Sequence, residues 1–144
     1  MSGSAFSVRL RVRYQETDAM GVVYHGNYLT WMEIARTEWT RAKGMAYHSV
    51  EAMGYYMPVV DISIQYKHPA RYDQEVDVVT WLEELSGLRM SFGYSIQAAD
   101  DPATVFATAS SKHVWVDKEW RPTRLSKAAP DLYEKLERAA REGQ

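Results

Sequence analysis

The sequence predicts an α+β fold, with one long helix packed on an antiparallel sheet of five strands. Three observations carry that expectation. One internal stretch, residues 28–42, keeps helical spacing over several turns. Segments with the two-residue period of strands lie before and after it. The later strands follow one another through short turn signals and not through helices, which excludes an alternating βαβ plan.

In the first strand, Phe6, Val8, Leu10 and Val12 alternate with Ser7, Arg9, Arg11 and Arg13, giving one apolar face. Residues 17–27 read as a loop punctuated by Gly21 and Gly26. Tyr28, Met32, Ala35, Trp39 and Ala42 then recur at three or four residues and mark the buried stripe of the long helix, with Trp31 beside it. Asn27 is its expected N-cap, Lys43 suits the negative end of the helix, and Gly44 stops it. Glu33 on this helix is expected to be structural, with Arg36 at i+3 as its simplest partner.

The second strand, 59–67, sets Val60, Ile62, Ile64 and Tyr66 on one side, and Pro69 ends it. The third, 74–84, is valine-rich and leads to a turn at Ser86-Gly87. The fourth alternates Leu88, Met90, Phe92, Tyr94 and Ile96 against polar or small neighbours. Asp100-Asp101-Pro102 turns the chain into a last strand, 104–117. Its small centre, Ala107 to Ser111, lets a bulky element lie close, most simply the helix. Residues 129–141 read as a terminal helix within a C-terminal segment 126–144. Such a sheet has edges that need covering, and pairing between two copies is the expected solution.

The 144 residues fit a single domain, 1–144, with residues 1–5 as a loose end. Apolar residues at 46% and charged residues at 25% are ordinary for a soluble protein. A net charge of -2 supplies no global field toward nucleic acid or an acidic membrane, so no nucleic-acid partner is expected. Absence of cysteine removes disulfides, thiolate metal sites and cysteine catalysis. His48 in a loop, His68 at a strand end and His113 in the sheet lack metal-ligand spacing, so no metal is expected. There is no signal-peptide core and no apolar run near the roughly 20 residues that span a bilayer. The expected location is the cytoplasm.

The chemistry concentrates in TDAMGVVYHGNYLTWME, residues 17–33. Asp18 leaves a strand and enters a glycine turn, and Tyr24, His25 and Gly26 lead into the helix. The first amides of a helix lack partners and carry partial positive charge, so they attract a developing oxyanion. A nearby carboxylate is able to attack a carbonyl or activate water. The residues alone therefore suggest acyl transfer, although an Asp before a glycine is more often only a turn former.

The segment YQETDAMGVVYHGNYLTWMEIARTEW resembles the active-site signature of the 4-hydroxybenzoyl-CoA thioesterase-like family, hotdog-fold acyl-CoA thioesterases, and within it the bacterial branch associated with the Tol-Pal system. PVVDISIQYKHPARYDQEVDV resembles that family's second and third strands, and SKHVWVDKEWRPTRL the end of its last. The resemblance covers about Val8 to Leu125. It implies a five-stranded antiparallel sheet wrapped around a long central helix, a homodimer or homotetramer, and hydrolysis of an acyl- or aryl-CoA thioester without metal or organic cofactor. Asp18 falls on the catalytic carboxylate, as nucleophile or general base. His25 falls where a backbone N–H polarises the thioester carbonyl, and Tyr24, Gly26 and Asn27 would shape the same pocket. Arg89 is the basic residue expected to face the phosphates of coenzyme A, with Lys67, Arg71 and Lys112 as further options. Tyr55, Tyr56, Met57 and Pro58 are candidates to wall the acyl pocket. Two other readings accompany this one: a hydratase or dehydratase of acyl thioesters on the same fold, and a non-catalytic protein that binds acyl thioesters.

Overall fold

A computed structural model describes residues 5–142. Its strands are β1 (Phe6–Arg11), β2 (Val59–Tyr66), β3 (Glu75–Leu85), β4 (Arg89–Ala98) and β5 (Asp101–Val114). They form one antiparallel sheet in the order β1-β3-β4-β5-β2. The α-helices among the described residues are α1 (Asn27–Ala42), α2 (Tyr47–Ala52), α3 (Leu125–Ala128) and α4 (Pro130–Arg141).

The sheet curls around α1 because alternate residues of its strands are apolar on the concave side. Val76, Val78 and Leu82 of β3 and Met90, Phe92 and Ile96 of β4 are buried there. They meet Tyr28, Trp31, Met32, Ala35 and Trp39 of α1, with Trp39 edge-on to Phe92 at 5.1 Å. Fully burying each large apolar side chain contributes about 1.5–3 kcal/mol relative to exposure. Leu132, Leu136 and Ala139 of α4 form a second buried stripe, which packs on β3.

Several expectations need correction. Asn27 is the first residue of α1 and not its cap; Gly26 holds that position, and the Asn27 side chain is occupied elsewhere. Ala42 is exposed, whereas Arg36 and Thr40 are buried. Glu33 is exposed and does not pair with Arg36, which bonds Tyr94 instead. His48 lies on α2, whose six residues bury only Val50 and are too short to show a period. The last turn is at Ala99 and Asp100; Asp101 already opens β5, its carboxylate accepting from Ala103 N and Thr104 Oγ1. β5 ends at Val114, so Trp115 to Asp117 leave the strand. The helix lies closest to β3 and β1, not to the small centre of β5. The terminal helix is two helices, with Pro130 at the first position of the second, where its missing N–H costs nothing.

β2 is the exception to burial. Among the described residues it pairs with β5 alone, and Val59, Val60, Ile62 and Tyr66 stay exposed along it.

Candidate active site

The chain leaves β1 into a single 3₁₀ turn, Tyr14–Glu16, and Glu16 is buried at its end. Glu16 Oε1 accepts from Arg13 N at 2.7 Å and Oε2 from Trp31 Nε1 at 3.0 Å. Its carbonyl accepts from Tyr24 N and from Asn27 Nδ2, both at 2.8 Å. One residue thus ties together the start of the loop, its end and the first two turns of α1.

Between these anchors the loop is closed on itself. Thr17 and Val23 bridge, Asp18 N donates to Val22 O at 2.9 Å, and Gly21 N donates to Asp18 O at 2.9 Å. Gly21 has φ +80, so the turn needs a residue tolerant of the left-handed region. Val23 N donates to Ala70 O, which ties the loop to the segment after β2. The half-buried Asp18 uses Oδ1 to accept from Met20 N at 2.9 Å, and Oδ2 has no hydrogen bond among the described residues.

At the other end of the loop, the amides of Asn27, Tyr28 and Leu29 donate to Tyr24 O, His25 O and Gly26 O. Those of His25 and Gly26 have no acceptor among the described residues. These are the orphan donors expected at a helix start. The exposed His25 ring stacks on Tyr24 at 4.3 Å and meets Tyr66 edge-on at 6.3 Å. Tyr66 Oη donates to His25 O at 3.0 Å, so the end of β2 holds the turn in place.

Asp18, His25, Tyr28, Tyr66, Lys67 and His68 line one open groove of about 290 Å³, floored by Val22, Val23 and Pro69. Burial, and then the neighbouring Tyr66, pushes the Tyr28 phenol up to about 12. Burial also raises the Tyr66 phenol. Both are protonated donors at neutral pH.

Of the residues singled out in the sequence, Asp18, His25 and Lys67 therefore line one groove. Tyr24 lies against the His25 ring and against Gly26, where an added Cβ would lie 2.8 Å from Tyr24 Cε2. Asn27 serves the Glu16 carbonyl. Arg89 is not brought to them within one chain. It is exposed at the start of β4 and lines a different groove with Val60, Ser86, Ser91 and Lys112. Glu16 and Tyr66 were missed. Glu16 sits inside the motif but reads as one more surface acid, and nothing in the spacing of Tyr66 announces a contact 41 residues away.

A second polar assembly lies inside the core. Arg36 Nη1 donates to Tyr94 Oη at 3.0 Å. Tyr94 Oη and Ser111 Oγ are 2.6 Å apart, and Ser111 Oγ is 2.8 Å from His113 Nε2. Burial, and then the Arg36 charge, holds His113 down at about 4. Burial also works against the charge of Arg36, but the phenolic oxygens of Tyr94 and Tyr47 hold its pKa above the usual arginine value. Among the described residues no group of three His, Asp or Glu side chains is placed to hold a metal. No helix there is long and apolar enough to cross a membrane.

A five-stranded antiparallel sheet wrapped around one long helix is the hotdog architecture. Residues 12–136 match the model of the Thioesterase-like superfamily, and the chain belongs to that family. It is 43% identical over 131 residues to YneP of Bacillus subtilis (strain 168), which is named as a candidate acyl-CoA thioesterase; the match covers 90% of this chain and 94% of YneP. It is 31% identical over 129 residues to the acyl-CoA thioester hydrolase YbgC of Escherichia coli O6:H1, covering 89% and 95%. The crystal structure of DHNA-CoA thioesterase from Staphylococcus aureus superposes with a TM-score of 0.87 at 34% identity, covering 93% of this chain and 89% of that one.

Proposed function

We propose that the protein hydrolyses an acyl- or aryl-CoA thioester to the free acid and coenzyme A at the groove beside Asp18. One observation carries this reading: the uncommitted Oδ2 of Asp18 and the unpaired amides at His25 and Gly26 belong to one short, closed loop, and Asp18 and His25 line the same groove. In the proposed reaction, the thioester carbonyl accepts from the His25 amide, and the start of α1 stabilises the oxyanion as it forms. Asp18 either takes a proton from the attacking water or attacks the acyl carbon itself, giving an anhydride that water then opens. In both routes the C–S bond breaks, the sulfur leaves as thiolate and is protonated, and water supplies the oxygen of the acid. Tyr24, Gly26 and Asn27 fix the shape of the turn. The finer branch reading, 4-hydroxybenzoyl-CoA thioesterase-like with a Tol-Pal association, is part of this proposal and rests on the motif at residues 14–39.

The proposal includes a dimer. Among the described residues the outer side of β2 has no partner strand and carries exposed apolar side chains, the type of edge that proteins cover. Antiparallel pairing centred on β2 would set Val60 of one copy across from Gln65 of the other. The groove that holds Arg89 and Val60 would then abut the edge that carries Tyr66 and the Asp18 groove. Arg89, remote from Asp18 within one chain, would face the phosphates of a substrate bound in the other.

The test is release of free thiol from a panel of acyl- and aryl-CoA substrates. Asp18→Asn is expected to lose about 10²–10⁴-fold in kcat with its folding transition unchanged. Unchanged turnover in that variant defeats the assignment. Binding without any hydrolysis by the wild type would favour the non-catalytic reading, and water addition to an enoyl thioester the hydratase.

A further inference from the structure

Arg36 is a buried cation whose polar partners are all neutral. Its side chain is 8% exposed, and among the described residues it makes no ion pair. A buried guanidinium without a counter-ion is costly, so its surroundings are informative. Nη1 is used by Tyr94. Nε is buried with no partner. The Nε–Nη2 edge is the side of the guanidinium that matches both oxygens of a carboxylate.

That edge does not stand alone. Arg36 shares the wall of a small cavity, about 90 Å³, with Tyr47, Tyr55, Met57 and Trp115. Two further buried donors in this wall, Tyr47 Oη and Trp115 Nε1, also lack an acceptor. Tyr47 Oη serves the Arg36 guanidinium through charge and hydrogen bonding, while its own hydroxyl proton finds no acceptor. Three donors without acceptors around one cavity, one of them cationic, constitute a site for an anion. The acids nearby do not fill the role: Glu51 lines the cavity and the charge of Glu33 reaches Tyr47, but both are exposed and neither forms an ion pair with Arg36 among the described residues.

We propose that this cavity is a binding subsite for a carboxylate, seated on the Nε–Nη2 edge of Arg36 and completed by Tyr47 Oη and Trp115 Nε1. The carboxylate has two possible sources, the far end of a substrate's acyl group or a small free acid.

The test begins with ¹⁵N-labelled full-length protein titrated with sodium acetate, against sodium chloride at equal ionic strength. Saturable movement of the Arg36 Nε–H and Trp115 Nε1–H signals with acetate alone is the expected result. Tyr47→Phe should weaken acetate binding about tenfold, the value of one hydrogen bond to a charged group. Arg36→Met should abolish saturation. Should Arg36→Met fail to fold, Tyr47→Phe and Trp115→Phe still test the site. Linear, chloride-like shifts would mean that the cavity holds only water and would overturn the proposal, as would unchanged acetate affinity in the folded variants. Because this titration needs no turnover, it stays readable if the hydrolase reading fails. A kinetic arm then separates the sources. CoA thioesters of equal chain length, ending in a carboxylate or in a methyl group, are compared by kcat/KM. A preference for the carboxylate that collapses in Arg36→Met assigns the subsite to the substrate. Acetate binding without such a preference assigns it to a free acid.

Discussion

Acidification should weaken the fold through His113, and the size of the effect follows from its surroundings. The ring is 1% exposed, bonded to Ser111 Oγ, and near the permanent charge of Arg36. Its pKa falls from 6.5 in the unfolded chain to about 4 in the fold. The native state therefore holds the neutral ring, and the unfolded chain binds the proton first. The corresponding stability is complete above about pH 6.5, declines as the pH falls, and is gone below about pH 4. At about 1.36 kcal/mol per pH unit, the whole window is worth about 3 kcal/mol, most of it lost between about pH 7 and about pH 4.5. The assay is urea unfolding across that range for the wild type and for His113→Gln. The variant loses the Ser111 contact at every pH, so it starts lower, but its decline should be shallower by about 2–3 kcal/mol. Carboxylates titrate in both proteins and cancel in the comparison. Parallel declines, or an NMR titration of His113 with its midpoint near 6.5, would refute the argument.

Three further outcomes are expected. Glu16→Gln leaves one carbonyl oxygen for two donors, Arg13 N and Trp31 Nε1; it should cost about 1–3 kcal/mol in urea unfolding and lower thiol release, since the loop and α1 lose their common anchor. Gly21→Ala meets no atom within 4 Å, so its cost is backbone strain alone, about 1–2 kcal/mol at φ +80; a stability unchanged within error would mean that the turn is not held left-handed. Ile62→Lys, on the exposed β2 edge, should halve the mass seen in sedimentation if β2 joins two copies; a wild type that already sediments as a monomer would end the dimer proposal.

What the sequence by itself determined is everything that depends on period and on short-range chemistry. The alternation of Phe6, Val8 and Leu10, and of Met90 through Ile96, gives strands whose faces are known before any partner is. The spacing of Tyr28, Met32, Ala35 and Trp39 gives α1 and its buried stripe. Asp18 and His25 were legible together because only seven positions and one turn separate them, so local geometry brings them to one groove. The tertiary structure decided what depends on distant neighbours. Arg36 is buried because Tyr94, 58 residues on, lies across from it, and no helical pattern in α1 marks an arginine as a core residue. Tyr66 reaches His25, and Arg89 lies apart from Asp18, through the order in which the strands join the sheet. Periodicity states which way a side chain points along its own element; which group waits there is set by pairings of strands far apart in the chain.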